Sequence, residues 1–163
     1  MAEKILETSQ GKVKVNEENK IVFPNGIYAF EDLKNFYILQ MDDENVFQLL
    51  QSEDKQEIAF IIVNPYLFKK DYVLNIREED LKEIGIKDSQ CAEKSLSVYA
   101  IVTVTESSMT ANLLGPLVIN MDQKSGKQAL ALNEEYSTKH DILEELNANE
   151  NNKMSEAIGV SVG

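Results

Sequence analysis

The 163-residue sequence predicts a mostly β protein, an antiparallel β-barrel-like single domain with short capping helices. Three observations carry that prediction. Short runs rich in β-branched and aromatic residues follow one another closely, turn signals built on Pro, Asn and Gly separate them, and helical periodicity surfaces at two places only. Short sequential strands joined by tight turns pair most readily with their chain neighbours, which favours an antiparallel barrel or sandwich.

The first expected strands cover residues 12–15 and 21–23, the second stopped by Pro24, Asn25 and Gly26. Further runs at 36–41, 46–51, 58–63 and 72–76 read as strands in turn. The clearest is 96–104, where Leu96, Val98, Ala100, Val102 and Val104 share one face and Ser97, Tyr99, Ile101 and Thr103 the other, and one side is expected to be core. Residues 116–120 and 128–132 flank a polar stretch containing Gly126 and read as a hairpin. A short helix is expected from Glu78 to Ile84, with acidic residues in its first turn and Gly85 as its stop. A second helix is expected from about Thr138, with Ile142, Leu143 and Leu146 as its apolar stripe. Residues 1–137 are therefore read as the barrel domain, and 138–163 as a C-terminal helix and mobile tail.

Composition narrows the function classes. The N-terminus turns polar by its third residue, and the longest apolar runs are far shorter than the roughly 20 residues that span a bilayer. A soluble, cytoplasmic protein without membrane contact is expected. Acidic residues number 28 against 16 basic ones, a formal charge of -12, which repels nucleic acid phosphates and favours basic protein partners. Direct nucleic acid binding is therefore not expected.

Catalytic chemistry finds little to work with. His140 is the one imidazole and Cys91 the one thiol, and no Ser or Cys motif accompanies either. One His and one Cys are too few for a zinc site of the usual ligand set. The acidic runs 42–44, 53–54 and 78–80 lack the spacing of a calcium loop and read as solvated turns and a helix start. A carboxylate pair distant in sequence leaves an enzyme in a β-barrel as an alternative without specific support. The glycines stand singly, so no phosphate-binding loop is present, and no catalytic residue, metal or cofactor is assigned.

Four segments together resemble the FliW family of flagellar assembly factors. They are Ile21-Val22-Phe23-Pro24-Asn25-Gly26-Ile27-Tyr28-Ala29-Phe30-Glu31; Leu50-Gln51-Ser52-Glu53-Asp54 leading into Ile58-Ala59-Phe60; Asn64-Pro65-Tyr66-Leu67-Phe68-Lys69-Lys70-Asp71-Tyr72; and residues 109–120, from Met109 through Asn112 and Gly115-Pro116 to Asn120. The resemblance spans about residues 5–132. One departure stands out: the family usually has Leu-Pro-Gly after the first glycine, where this chain has Ile27-Tyr28-Ala29.

The resemblance implies a barrel-like fold without catalytic activity or cofactor, and two partners: flagellin, and CsrA, a small dimeric RNA-binding translational repressor. In the family, free flagellin occupies FliW. Once flagellin is exported, FliW binds CsrA away from its RNA groove and relieves repression, coupling flagellin synthesis to export. A structural flagellar component is the alternative. Gln51, Ser52, Glu53, Asp54, Met109, Thr110 and Asn112 are read as candidate partner-binding residues, the last three in a polar surface loop. Phe30, Phe47, Tyr66 and Phe68 are candidate apolar anchors, each with core packing as its other reading.

Overall fold

In the computed structural model, residues 3–41, 46–87, 95–132 and 135–142 are described. Eleven strands form there: β1 (Glu3–Thr8), β2 (Gly11–Asn16), β3 (Ile21–Val22), β4 (Asn35–Gln40), β5 (Phe47–Ser52), β6 (Ala59–Val63), β7 (Leu96–Val104), β8 (Met109–Ala111), β9 (Leu117–Asn120), β10 (Ser125–Gln128) and β11 (His140–Asp141). One α-helix, α1, spans Glu78–Glu83. β1 and β2 make a separate antiparallel hairpin, while the other nine strands form one sheet in the order β11-β8-β7-β6-β5-β4-β3-β10-β9. A further pairing of β7 with β9 turns this ladder back on itself, which gives the expected barrel-like body.

Alternation decides what fills it. Phe36, Leu50, Ile62, Leu117 and Ile119 point inward from four strands and enclose Ile21, Phe23, Ile27 and Leu33. Phe23 and Phe36 meet edge to face at 5.3 Å. β7 is buried on both faces rather than one. Tyr99 and Ile101 pack on the interior, whereas Ala100 and Val102 join an outer cluster with Val63, Phe68, Tyr72 and Leu113. A third cluster seats Ile84 and Ile86, at the end of α1, on Val118 and Ala129. The helix ends as expected at Gly85, whose φ of 85° permits the bonds Gly85 N to Lys82 O and Ile86 N to Leu81 O.

Several expectations need correction. The run 72–76 is not a strand: it crosses the outside of the barrel, where Tyr72 Oη donates to Leu113 O and Val73 N donates to Tyr136 Oη. The hairpin partner of β9 is Ser125–Gln128 instead of 128–132, because Asn120 accepts from Asp122 N and Gln123 N and tightens the turn. Ala129 N and Ala131 N then continue the pairing to Pro116 O and Leu114 O outside regular strand geometry. Met109–Ala111 is a strand between β7 and β11, not a loop. The expected second helix begins in a turn, and its residues His140 and Asp141 form β11; Leu143 and all that follows lie outside the described residues. β1 was not expected. Its alternation is hidden in a mixed polar run, yet Leu6 and Thr8 are buried.

Candidate functional site

The Gln51-Ser52-Glu53-Asp54 segment closes the β5–β6 hairpin. Gln51 is 1% exposed, and its Nε2 lies within hydrogen-bond distance of the carbonyls of Ser52, Gln56 and Ile58. Ser52 is fully buried, its Oγ accepting from Lys55 N at 2.9 Å. Both side chains therefore shape the turn and present little surface to a partner. Asp54 accepts from Lys34 N at 2.9 Å, Asn35 N at 3.0 Å and Asn35 Nδ2 at 3.1 Å, which anchors the start of β4. Burial alone would raise its pKa; the hydrogen bonds from Asn35 and Lys34 outweigh that and hold it below the usual carboxylate range.

Glu53 sits between two lysines, with Lys4 Nζ at 2.9 Å and Lys20 Nζ at 3.1 Å. Burial again opposes ionisation, and the hydrogen bonds and charge of Lys4 and Lys20 overcome it, leaving the carboxyl below its ordinary pKa. The hydroxyl of Tyr37 is buried beside it, pushed up to about 12 by burial and then by the Glu53 carboxylate. Lys4 belongs to β1, so this cluster ties the β1–β2 hairpin to the barrel, helped by Gln56 Nε2 donating to Thr8 O at 3.0 Å. A surface groove of about 610 Å³ runs between hairpin and turn, lined by Lys4, Glu7, Lys12, Glu53, Asp54 and their neighbours. The sequence reading missed Lys4, Lys20 and Tyr37; the turn residues Ser9, Gln10 and Gly11 ahead of β2 were the available signal for β1.

The second segment behaves differently. Met109 packs half-buried on the outer cluster, Thr110 pairs with both Thr103 and Asp141, and Asn112 Oδ1 accepts from Gly115 N at 2.7 Å. Among the aromatic candidates Phe68 is buried, Phe30 and Phe47 are half-buried against clusters, and Tyr66 is 40% exposed. Core packing thus claims three of the four.

Register brings the two motif segments to one end of the sheet. Gln51 pairs with Ala59, and Met109 with Val104. Since Ile61 lies opposite Val102, extending that register by two residues sets Ala59 opposite Val104. The β5–β6 and β7–β8 turns therefore project side by side, their motif strands separated by three inter-strand steps, about 14 Å. Phe47 pairs with Val63 at the other end of β5 and lies apart from them. The shared end is acidic and exposed at Glu57 and Glu106.

Among the described residues, no group of three or more His, Cys, Asp or Glu is placed to hold a metal ion. His140 stands on β11 with its ring stacked over Phe68 at 6.2 Å. Cys91 and the acidic run 42–44 fall outside the described residues. No helix among the described residues is long and apolar enough to cross a membrane. What the site offers is shape and negative charge.

Comparison with known proteins fits that picture. A flagellar assembly factor FliW from Alkaliphilus metalliredigens is 42% identical over 146 residues, covering 87% of this chain and 88% of the relative. One from Treponema denticola is 41% identical over 142 residues, covering 86% and 93%. The crystal structure of a flagellar assembly factor FliW superposes with a TM-score of 0.77 at 29% identity, over 86% of this chain and 97% of the other. The model of the FliW protein family matches residues 4–142, and the chain belongs to that family.

Proposed function

We propose that this protein is a cytoplasmic, non-enzymatic flagellar assembly factor that binds flagellin and the translational regulator CsrA, coupling flagellin synthesis to its export. The observation that carries this reading is the family match across the whole barrel, from residue 4 to 142, with curated relatives that are flagellar assembly factors. The charge of -12 supports it, because an acidic body held beside CsrA raises the free energy of bringing RNA phosphates close. CsrA is the partner through which the protein would act on RNA, with no direct nucleic acid contact.

Purified protein immobilised in a lysate of its own organism should retain soluble flagellin and CsrA. Retention of neither sinks the reading, and retention of a sedimenting basal structure replaces it with a structural one. The electrostatic part has its own test. Glu53 and Asp54 are held by internal partners, so reversing them would disturb the turn itself. Glu57→Lys with Glu106→Lys reverses exposed charge at the same end of the sheet. The pair should weaken RNA release from CsrA at low salt, and the difference should shrink as salt screens it.

A further inference from the structure

β7 is nine residues long and β6 only five, so the two run out of register at one end. Their last pair is Val63 with Ala100, after which the chain leaves β6 at Asn64 and Pro65. β7 continues for four more residues, 96–99, paired on its other edge with β9. Hydrogen bonds fix which way each backbone group points. Ser95 O accepts from Met121 N and Ile101 O from Asn112 N, both at 2.9 Å, so odd-numbered residues face β9 and β8. The N–H and C=O groups of Leu96 and Val98 consequently face the side β6 has vacated, where no strand among the described residues lies opposite them.

That edge opens into a groove of about 480 Å³ whose lining includes Asn64, Tyr66, Leu74 and residues 96–99. We propose that the free edge of β7 between Leu96 and Tyr99 is a strand-addition site for one extended, basic and apolar segment of a partner polypeptide. Four residues of added strand are about 13 Å long and follow the track that β6 gives up. Backbone groups that face no strand among the described residues call for an extended main chain, and Tyr66 and Leu74 call for apolar side chains. The charge of -12 selects lysine or arginine flanks. The same charge opposes a second copy of this chain, whose folded bulk would also have to reach an edge set back in a groove.

Amide exchange followed by NMR on the full chain tests this, with the synthetic peptide acetyl-Lys-Thr-Val-Thr-Val-Thr-Lys-amide as probe. In dilute free protein, the amides of Leu96 and Val98 should exchange about a hundredfold faster than those of Ser97 and Tyr99, which face β9. Probe at about 1 mM should slow Leu96 and Val98 by about tenfold and leave Ser97 and Tyr99 unchanged. A probe with proline at its centre should have no effect, and Tyr66→Ala should weaken binding by roughly fivefold at a temperature well below its own melting point, which the lost edge-to-face contact with Tyr72 lowers. Protection of Leu96 and Val98 before any probe is added, or no slowing at 1 mM, overturns the proposal. Protection that rises with protein concentration alone overturns the choice of occupant in favour of self-pairing.

Discussion

The backbone N–H of Tyr28 donates to Oε1 of Gln128 at 2.9 Å, joining positions 100 residues apart. Gln128 Nε2 in turn donates to Gly115 O at 2.9 Å. One glutamine therefore bridges the turn after Gly26 to the segment that ends in Gly115-Pro116. The turn itself is closed by Phe30 N donating to Ile27 O at 2.7 Å, with Ala29 at a φ of 72° in its third position. That is the geometry of a type II turn, which favours Pro at the second position and Gly at the third. The Leu-Pro-Gly usual in the family satisfies it directly. Here Tyr28 replaces the proline's fixed φ with a donated hydrogen bond, and Ala29 carries the strain of a left-handed conformation.

Ala29→Gly should accordingly stabilise the protein by about 1 kcal/mol. Tyr28→Pro should do the opposite by about 1 kcal/mol, because an unpaired Gln128 Oε1 costs more than the added rigidity returns. Urea unfolding of the two variants checks both signs.

Acid should weaken the anchorage of the β1–β2 hairpin. The folded pKa of Glu53 lies below its ordinary 4.5, so its ionic contribution is fully present above that value. It is lost as pH falls through the lowered folded pKa, and Asp54 behaves in the same way. Stability measured between pH 7 and pH 3 should fall more steeply in the parent than in Glu53→Gln, whose remaining slope comes from Asp54, Asp80 and the other carboxylates.

Asp80 is 1% exposed, with Lys127 Nζ at 2.6 Å and Arg77 Nη2 at 3.1 Å. Burial opposes its charge, and Lys127 and then Arg77 outweigh burial. Lys127 also pairs with Glu83, so one ammonium fastens α1 to β10. Asp80→Asn should cost about 3 kcal/mol by removing the buried partner of Lys127. Arg77→Ala, at an exposed site, should cost far less than Asp80→Asn. Thermal unfolding separates the two.

A Cβ on Gly126 would stand 2.7 Å from Cζ of Phe23, in the barrel interior. Gly126→Ala should cost about 2 kcal/mol by displacing that ring from its contact with Phe36. Adding Phe23→Leu should recover part of the loss, and a double-mutant cycle measures how much.

Much of the barrel was legible in the chain. Runs of β-branched and aromatic residues at 36–41 and 58–63 placed β4 and β6, and alternation over 96–104 placed β7, because inward and outward positions on a pleated strand repeat every second residue. Charge at Glu78, Glu79 and Asp80 with a glycine stop placed α1 for an equally local reason. The run 72–76 has the same local character as a strand, yet it lies over the barrel and spends its hydrogen bonds on Tyr136 and Leu132. Only packing distinguishes the two.

Among the candidate binding residues the division runs the same way. Sequence alone determined the acidic, strand-built character of the chain and the two polar segments flanked by β-runs, since composition and periodicity are properties of neighbours along the chain. Tertiary structure decided that Gln51 and Ser52 turn inward, that Glu53 is captured by Lys4 and Lys20, and that the two turns share one end of the sheet. Those outcomes depend on register between strands far apart in sequence, and a shift of one residue would exchange every inward side chain for an outward one.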